Sequence, residues 1–124
     1  MAPRPYRGRP LILCIEDSQP QLEMLKNILE GNGFIVLQAS TAEEALRICR
    51  AAPVSLVLSD HMLSGSTGSE LAGQIKVLQP TVPVVLHSGT LPTSMRHVDC
   101  FLHKGEPIPT LVAFIRDLIS RFAE

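Results

Sequence analysis

Apolar and polar positions alternate in blocks along the chain from residue 11 onward. Longer segments whose apolar residues recur every three or four positions predict helices with one buried face. Short, mostly apolar runs between them predict strands covered on both faces. These runs are LILCI (11–15), FIVLQA (34–39), VSLVLS (54–59), VPVVLHS (82–88) and CFLH (100–103). The alternation of strand and helix predicts an α/β domain built on a parallel sheet.

Capping residues indicate where the helices begin. Ser18 precedes the first helix, and the pairs Thr41–Glu44 and Thr67–Glu70 have the spacing of a capping box. The segment between the fourth and fifth strands differs from the others, because TLPTSMRHV (90–98) is shorter than an average helix and contains a proline. The fourth helix is therefore predicted to be a single turn or missing.

Composition adds limits to this picture. A chain of 124 residues with 45% hydrophobic and 19% charged residues is typical of one soluble domain, and its net charge of −1 does not favour a nucleic-acid partner. No apolar run approaches the ~18–20 residues of a membrane span. Residues 1–10 are basic and lack the apolar core of a secretory signal, so we expect a disordered tail there and a domain over 11–124. A cytoplasmic location follows.

The three cysteines, Cys14, Cys49 and Cys100, support the same location. Their number is odd, and their spacing matches no metal-finger motif. Each lies among apolar residues, so they are interpreted as small buried hydrophobic side chains in a reducing compartment.

Chemically active side chains follow four of the five predicted strands. In parallel sheets the carboxyl ends of the strands meet at one edge, where ligands bind. The first strand is followed by Glu16 and Asp17, the third by Asp60 and the fifth by Lys104, and the fourth strand ends in Ser88.

Three acids, a hydroxyl and a lysine at one edge predict phosphoryl chemistry. Clustered carboxylates repel one another unless a cation neutralises them, so the site implies a hard metal such as Mg²⁺ beside Asp17 and Asp60. Lys104 offers a positive charge to phosphoryl oxygens, and Ser88 offers a hydrogen-bond donor. A carboxylate held in this way can attack a phosphoryl donor and form an aspartyl phosphate.

These motifs resemble the receiver domain of two-component response regulators, the CheY-like family. Gly68, eight residues beyond Asp60, and Phe101, three before Lys104, also match family positions. The resemblance extends from about residue 11 to residue 122. It implies a doubly wound, flavodoxin-like sheet of five parallel strands in the order 2-1-3-4-5.

The resemblance also implies a role for each site residue. Asp17 and Asp60 would bind Mg²⁺ through their side chains, Met62 through its backbone carbonyl and Glu16 through water. A sensor histidine kinase or a histidine phosphotransfer protein would supply the phosphoryl group to Asp60, and Lys104 would contact that group. The receiver would catalyse only its own phosphorylation and dephosphorylation.

Signalling is expected to follow from a change around the phosphoryl group. By the same resemblance, Ser88 would move toward the phosphoryl group while Phe101 turns inward. The readout is expected through protein contacts, with no direct nucleic-acid or membrane partner.

The sequence departs from the family pattern most in the short segment 90–98 described above, and it also departs in three other places. The acidic pair is Glu-Asp in place of the commoner Asp-Asp, Leu63-Ser64 replaces the usual Met-Pro, and Gly105 replaces the proline that usually follows the lysine. A cis peptide is not expected before Gly105, because it costs about 2.5–4 kcal/mol before a residue other than proline.

Three other functions were compared with the pattern. A phosphohydrolase with a nucleophilic aspartate needs a second aspartate two residues later, and Met62 stands there. A receiver-like interaction module that is never phosphorylated fits the shortened fourth-helix region. A glycosidase carboxylate pair leaves Lys104 without a role.

The four histidines match no ligand motif and are interpreted as incidental, with His87 and His103 pointing away from the strand-end groups.

Overall fold

The computed structural model describes residues 8–123, in which a five-stranded parallel sheet lies between two layers of helices. The sheet contains β1 (Leu11–Ile15), β2 (Ile35–Ala39), β3 (Leu56–Ser59), β6 (Val84–Ser88) and β7 (Cys100–His103); a short hairpin holds β4 (Met62–Leu63) and β5 (Ser66–Thr67). The helices are α1 (Gln19–Glu30), α2 (Ala42–Ala51), α3 (Gly68–Leu78) and α4 (Ile108–Phe122). Of the predicted basic tail, residues 1–7 lie outside the described residues.

The strand order β2-β1-β3-β6-β7 confirms the predicted doubly wound sheet, because these are the five predicted strands in the order 2-1-3-4-5. Three strands are shorter than predicted, since β2 begins at Ile35, β3 at Leu56 and β6 at Val84. The hairpin after Asp60 was not predicted from the sequence. Its turn is made possible by Gly65, whose φ of +79° favours glycine.

Side-chain alternation along β1 divides the core into two layers. Ile12 and Cys14 pack with α1 and α4 on one face of the sheet, whereas Leu13 and Ile15 pack with α2 and α3 on the other. Every residue of β1 is buried, as expected for a strand covered on both faces. The continuous apolar run that predicted this strand therefore has a direct structural cause.

The capping-box predictions had different outcomes. Thr67 and Glu70 form both reciprocal hydrogen bonds, which confirms a capping box at the start of α3. Thr41 accepts the N–H of Glu44, but the Glu44 carboxylate accepts the N–H and hydroxyl of Ser40 instead. The predicted box at Thr41–Glu44 is therefore only half formed, because Ser40 offers the Glu44 carboxylate two hydrogen-bond donors.

The chain between β6 and β7 has no helix, as predicted: residues 89–99 form turns and bends. This segment is fixed to α3, where the Ser69 hydroxyl donates to the Arg96 carbonyl at 2.7 Å. At its end, one Asp99 carboxylate oxygen accepts the Val84 N–H and the Lys76 ammonium, each at 2.7 Å. Polar contacts to α3 and β6 thus hold the segment in place of a packed helix.

Gly68 allows α3 to begin directly against the end of β3. A Cβ atom at this position would lie 2.6 Å from the Asp60 carbonyl oxygen and 2.5 Å from a Leu86 methyl carbon. Both distances are shorter than van der Waals contact, so a larger residue would have to displace the backbone that carries Asp60.

Substitution Gly68→Ala is expected to lower the free energy of unfolding by about 1–3 kcal/mol, the usual cost of overpacking. Urea denaturation measures this change. Gly89→Ala is the control, because a Cβ atom there meets nothing within 4 Å. Equal losses in the two variants would contradict close packing at Gly68 as the cause.

Candidate functional site

Three carboxylates meet at the carboxyl end of the sheet. One ligand oxygen from each of Glu16, Asp17 and Asp60 lies within 4.8 Å of the others. The Glu16 N–H donates to the Ala39 carbonyl at 3.1 Å, and the Asp60 N–H donates to the Ile15 carbonyl at 2.9 Å. These bonds continue the β1–β2 and β1–β3 ladders by one residue, so the register of the sheet determines how close the carboxylates lie.

The two carboxylate oxygens of Asp60 have different surroundings. Oδ1 accepts the backbone N–H of His61 at 2.8 Å. Oδ2 lies 3.8 Å from the Lys104 Nζ atom. The first contact fixes the orientation of the carboxylate, and the second places a positive charge next to its other oxygen.

Lys104 is positioned by its backbone and by its ammonium group. Its N–H donates to the Ser88 carbonyl at 2.9 Å, which continues the β6–β7 pairing. Its Nζ atom donates to Glu16 Oε2 at 2.9 Å and to Gln21 Oε1 at 2.6 Å. The ammonium group is therefore hydrogen-bonded to Glu16, which follows β1, and to Gln21 of α1.

Glu16 is almost completely buried, with 3% of its surface exposed. Burial raises the pKa of its carboxyl group, the nearby Asp60 charge adds to that rise, and the hydrogen bond from Lys104 opposes it. The longer side chain of the Glu-Asp pair allows this carboxylate to reach Lys104 directly. An ionised Glu16 in this position is stabilised by additional positive charge.

The remaining predicted residues lie in β4, β6 and β7. Ser88 is buried at the end of β6, and its Oγ atom accepts the Thr90 N–H at 3.2 Å. Phe101 is half-buried within β7, opposite Leu86 of β6. The Met62 side chain is exposed in β4. No cis peptide occurs in residues 8–123, so the peptide before Gly105 is trans.

Sequence reasoning missed Gln21 as part of this site. It is the third residue of α1, and its side chain reaches Lys104 across 83 positions of the sequence. A polar residue in the first helical turn after the acidic pair was the available signal. Gln21 lies on a helix, whereas the candidate residues were predicted at strand ends.

His87 was interpreted as an incidental residue, but it is electrostatically linked to the site. It follows Val85 by two positions and so shares the face of the sheet that packs on α1 and α4, away from Ser88. Its Nδ1 atom is buried without a hydrogen-bond partner among the described residues. Burial lowers the pKa of His87 to about 4, and the Lys104 charge contributes to the decrease.

The comparisons with known proteins agree with this geometry. The family model of the response regulator receiver domain matches residues 12–105. The chain belongs to this family. The Transcriptional regulatory protein GlrR of Escherichia coli strain K12 is 29% identical over 118 residues, which cover 90% of this chain and 27% of that protein. The chain thus spans about a quarter of the length of this relative.

Solved receiver structures have the same architecture. A CheY-like receiver domain from Methanospirillum hungatei JF-1 superimposes with a TM-score of 0.88 at 24% identity and covers 94% of this chain and 98% of its own. The response regulator protein TrrA from Thermotoga maritima, solved in complex with Mg²⁺ and BeF, gives 0.81 at 25% identity and covers 88% and 98%. Within residues 8–123, no helix is long and apolar enough to cross a membrane.

The lowered pKa of His87 leads to a prediction about acid stability. The unfolded histidine binds a proton near pH 6.5 but the native one only near pH 4, so stability should fall as the pH decreases from 6.5 to 4. Replacing His87 with Leu should reduce this pH dependence. Denaturant titrations at several pH values measure it, and the exposed His103, replaced with Gln, is the control. An unchanged acid dependence in His87→Leu would contradict this origin.

Proposed function

We propose that this receiver domain accepts a phosphoryl group on Asp60 in a Mg²⁺-dependent reaction and signals through protein contacts. The donor is a phosphohistidine on a sensor histidine kinase or on a histidine phosphotransfer protein. The observation that carries the proposal is the carboxylate cluster with Lys104 Nζ only 3.8 Å from Asp60 Oδ2. Free Cys14, Cys49 and Cys100 support a cytoplasmic location for this reaction.

The donor set fits magnesium. Mg²⁺ prefers oxygen ligands, and the cluster offers carboxylates from Glu16, Asp17 and Asp60. Burial raises the pKa of Glu16 and the nearby Asp60 charge adds to the rise, so a cation bound here would favour the ionised form of Glu16. Asp17 and Asp60 would bind the ion directly, with the Met62 carbonyl as a further ligand and Glu16 acting through water. When bound, the ion would neutralise the carboxylates and the phosphoryl oxygens.

Asp60 acts as the nucleophile in this proposal. One of its carboxylate oxygens attacks phosphorus, the phosphorus–nitrogen bond of the phosphohistidine breaks, and the imidazole leaves with the bonding electron pair. Lys104 stabilises the negative charge on the transferred oxygens, and Ser88 donates a hydrogen bond to one of them. Water later attacks the acyl phosphate and releases inorganic phosphate, which restores Asp60.

Position 62 argues against a phosphohydrolase. That chemistry needs a carboxylic acid two residues after the nucleophile to protonate the leaving group. Met62 has no proton to give, and its side chain is 58% exposed. The domain therefore acts on its own aspartate and is not a turnover phosphatase for other molecules.

Signal output in this proposal starts from Ser88 and Phe101. Movement of Ser88 toward the phosphoryl group would break the hydrogen bond that its Oγ atom now accepts from the Thr90 N–H. Phe101 is half-buried, so turning inward would remove more of its ring from solvent. The readout surface involves β7, α4 and residues 89–99, because no helix covers this side between β6 and β7.

Acetyl phosphate or BeF₃⁻ with Mg²⁺ is expected to modify the wild-type protein at Asp60, whereas Asp60→Asn should remain unmodified. Intact-mass measurement detects the phosphoryl group that acetyl phosphate transfers, with acetate as the leaving group. An adduct that persists in Asp60→Asn would refute the assignment of the phosphoacceptor. Absence of any adduct in the wild type would favour an interaction module that is never phosphorylated.

Asp17→Asn is expected to weaken Mg²⁺ binding by about tenfold or more, because it removes a charged oxygen ligand. Calorimetric titration measures the affinity. Thermal unfolding provides a second test, since Mg²⁺ at ten times its Kd stabilises the native state by about 1.4 kcal/mol. Asp117→Asn is the matched control, because Asp117 pairs with Arg121 on the exposed face of α4. Equal losses in both variants would mean that the metal binds elsewhere.

A further inference from the structure

Gln21 makes the shortest polar contact of the Lys104 ammonium group. The distance from Nζ to Gln21 Oε1 is 2.6 Å, compared with 2.9 Å to Glu16 Oε2 and 3.8 Å to Asp60 Oδ2. An ammonium group has three donors, and two are used by Glu16 and Gln21. Its third donor remains for an acceptor on the Asp60 side.

The two acceptors differ in charge. The Glu16 carboxylate compensates the positive charge of Lys104, and it belongs to the cluster that would face Mg²⁺. The Gln21 amide is neutral, so it fixes the ammonium group while leaving its charge available to phosphoryl oxygens. If Glu16 were engaged by the Mg²⁺ site, Gln21 would remain as an acceptor for the Lys104 ammonium group.

Lys104 is held at both ends, at its ammonium group by Gln21 of α1 and at its backbone N–H by Ser88 of β6. Lysine has a flexible four-carbon side chain, and restricting it before the donor arrives reduces the entropy that the transition state must lose. Gln21 lies in the first turn of α1, whose next residue, Leu22, is buried in the core. At the other end, the Lys104 N–H is bonded to the Ser88 carbonyl. The ammonium group is thus held between a packed helix and the edge of the sheet.

We infer that Gln21 is a positioning residue for phosphoryl transfer, which holds the Lys104 ammonium group beside Asp60 through a neutral hydrogen bond. This inference rests on the proposed function of Asp60 as a phosphoacceptor. It predicts that Gln21 acts on the phosphoryl group through Lys104 and takes no part in binding Mg²⁺.

The first test compares Gln21→Ala with wild type in the rate of phosphorylation by acetyl phosphate at saturating Mg²⁺. The rate constant divided by donor concentration should fall by about fivefold to tenfold, as expected for a lost charge-assisted hydrogen bond. The Kd for Mg²⁺ and the melting temperature should stay unchanged. Gln19→Ala is the matched control, because Gln19 is an exposed residue of the same helical turn.

The second test observes Lys104 directly. The chain has only three lysines, Lys26, Lys76 and Lys104, so the side-chain signals of ¹³C-lysine-labelled protein are readily resolved by NMR. Gln21→Ala should shift the Lys104 ¹³Cε signal in the Mg²⁺-loaded protein and leave the Lys26 signal in place. Gln19→Ala should shift neither signal. A purely structural effect on α1 would not select Lys104.

The outcomes separate this inference from the proposed function. A wild-type protein that takes no phosphoryl group would overturn the proposed function, and the role of Gln21 with it. A wild type that is phosphorylated, together with a Gln21→Ala variant that reacts equally fast, would overturn only the role of Gln21. A slower variant whose Mg²⁺ affinity falls in parallel, or whose Lys104 signal does not move, would also overturn it.

Discussion

The charge balance at the carboxyl end of the sheet is the constraint on which the rest of the site depends. Three carboxylates meet there, and Lys104 supplies a positive charge among them. Its partner Glu16 is 88 positions away in the sequence, so this balance exists only when the strands have the correct order. Backbone pairing achieves this order without help from the charges, because β1 and β3 are buried apolar strands. The apolar core therefore supplies the free energy that brings the repelling groups together.

The fold was predictable because its causes are local. Apolar runs specified the five strands of the sheet, and the Thr67–Glu70 pair specified the start of α3. The missing helix was also predictable, since the available segment was too short. By contrast, the β4–β5 hairpin depends on a two-residue pairing that leaves no periodic pattern, so sequence reasoning did not detect it.

The site was predictable for a different reason. A parallel sheet brings its strand ends together, so Glu16, Asp17, Asp60 and Lys104 could be assigned to one edge before their distances were known. Contacts from outside the strands could not be assigned in this way. The bond between Gln21 and Lys104 depends on the angle at which α1 leaves β1, and the buried state of His87 depends on packing around β6. Neither is encoded in spacing along the chain.

The short connection between β6 and β7 limits how far a signal could move the chain. A crossover between parallel strands normally needs a dozen or more residues, and this one uses the eleven residues 89–99. A connection this short can adopt few alternative backbone conformations. It is also hydrogen-bonded to Ser69 of α3. Under the proposed function, a rearrangement that followed phosphorylation of Asp60 would therefore be short in range. Under the proposed function, the connection between β6 and β7 would transmit a small displacement, in contrast to the sliding of a helix.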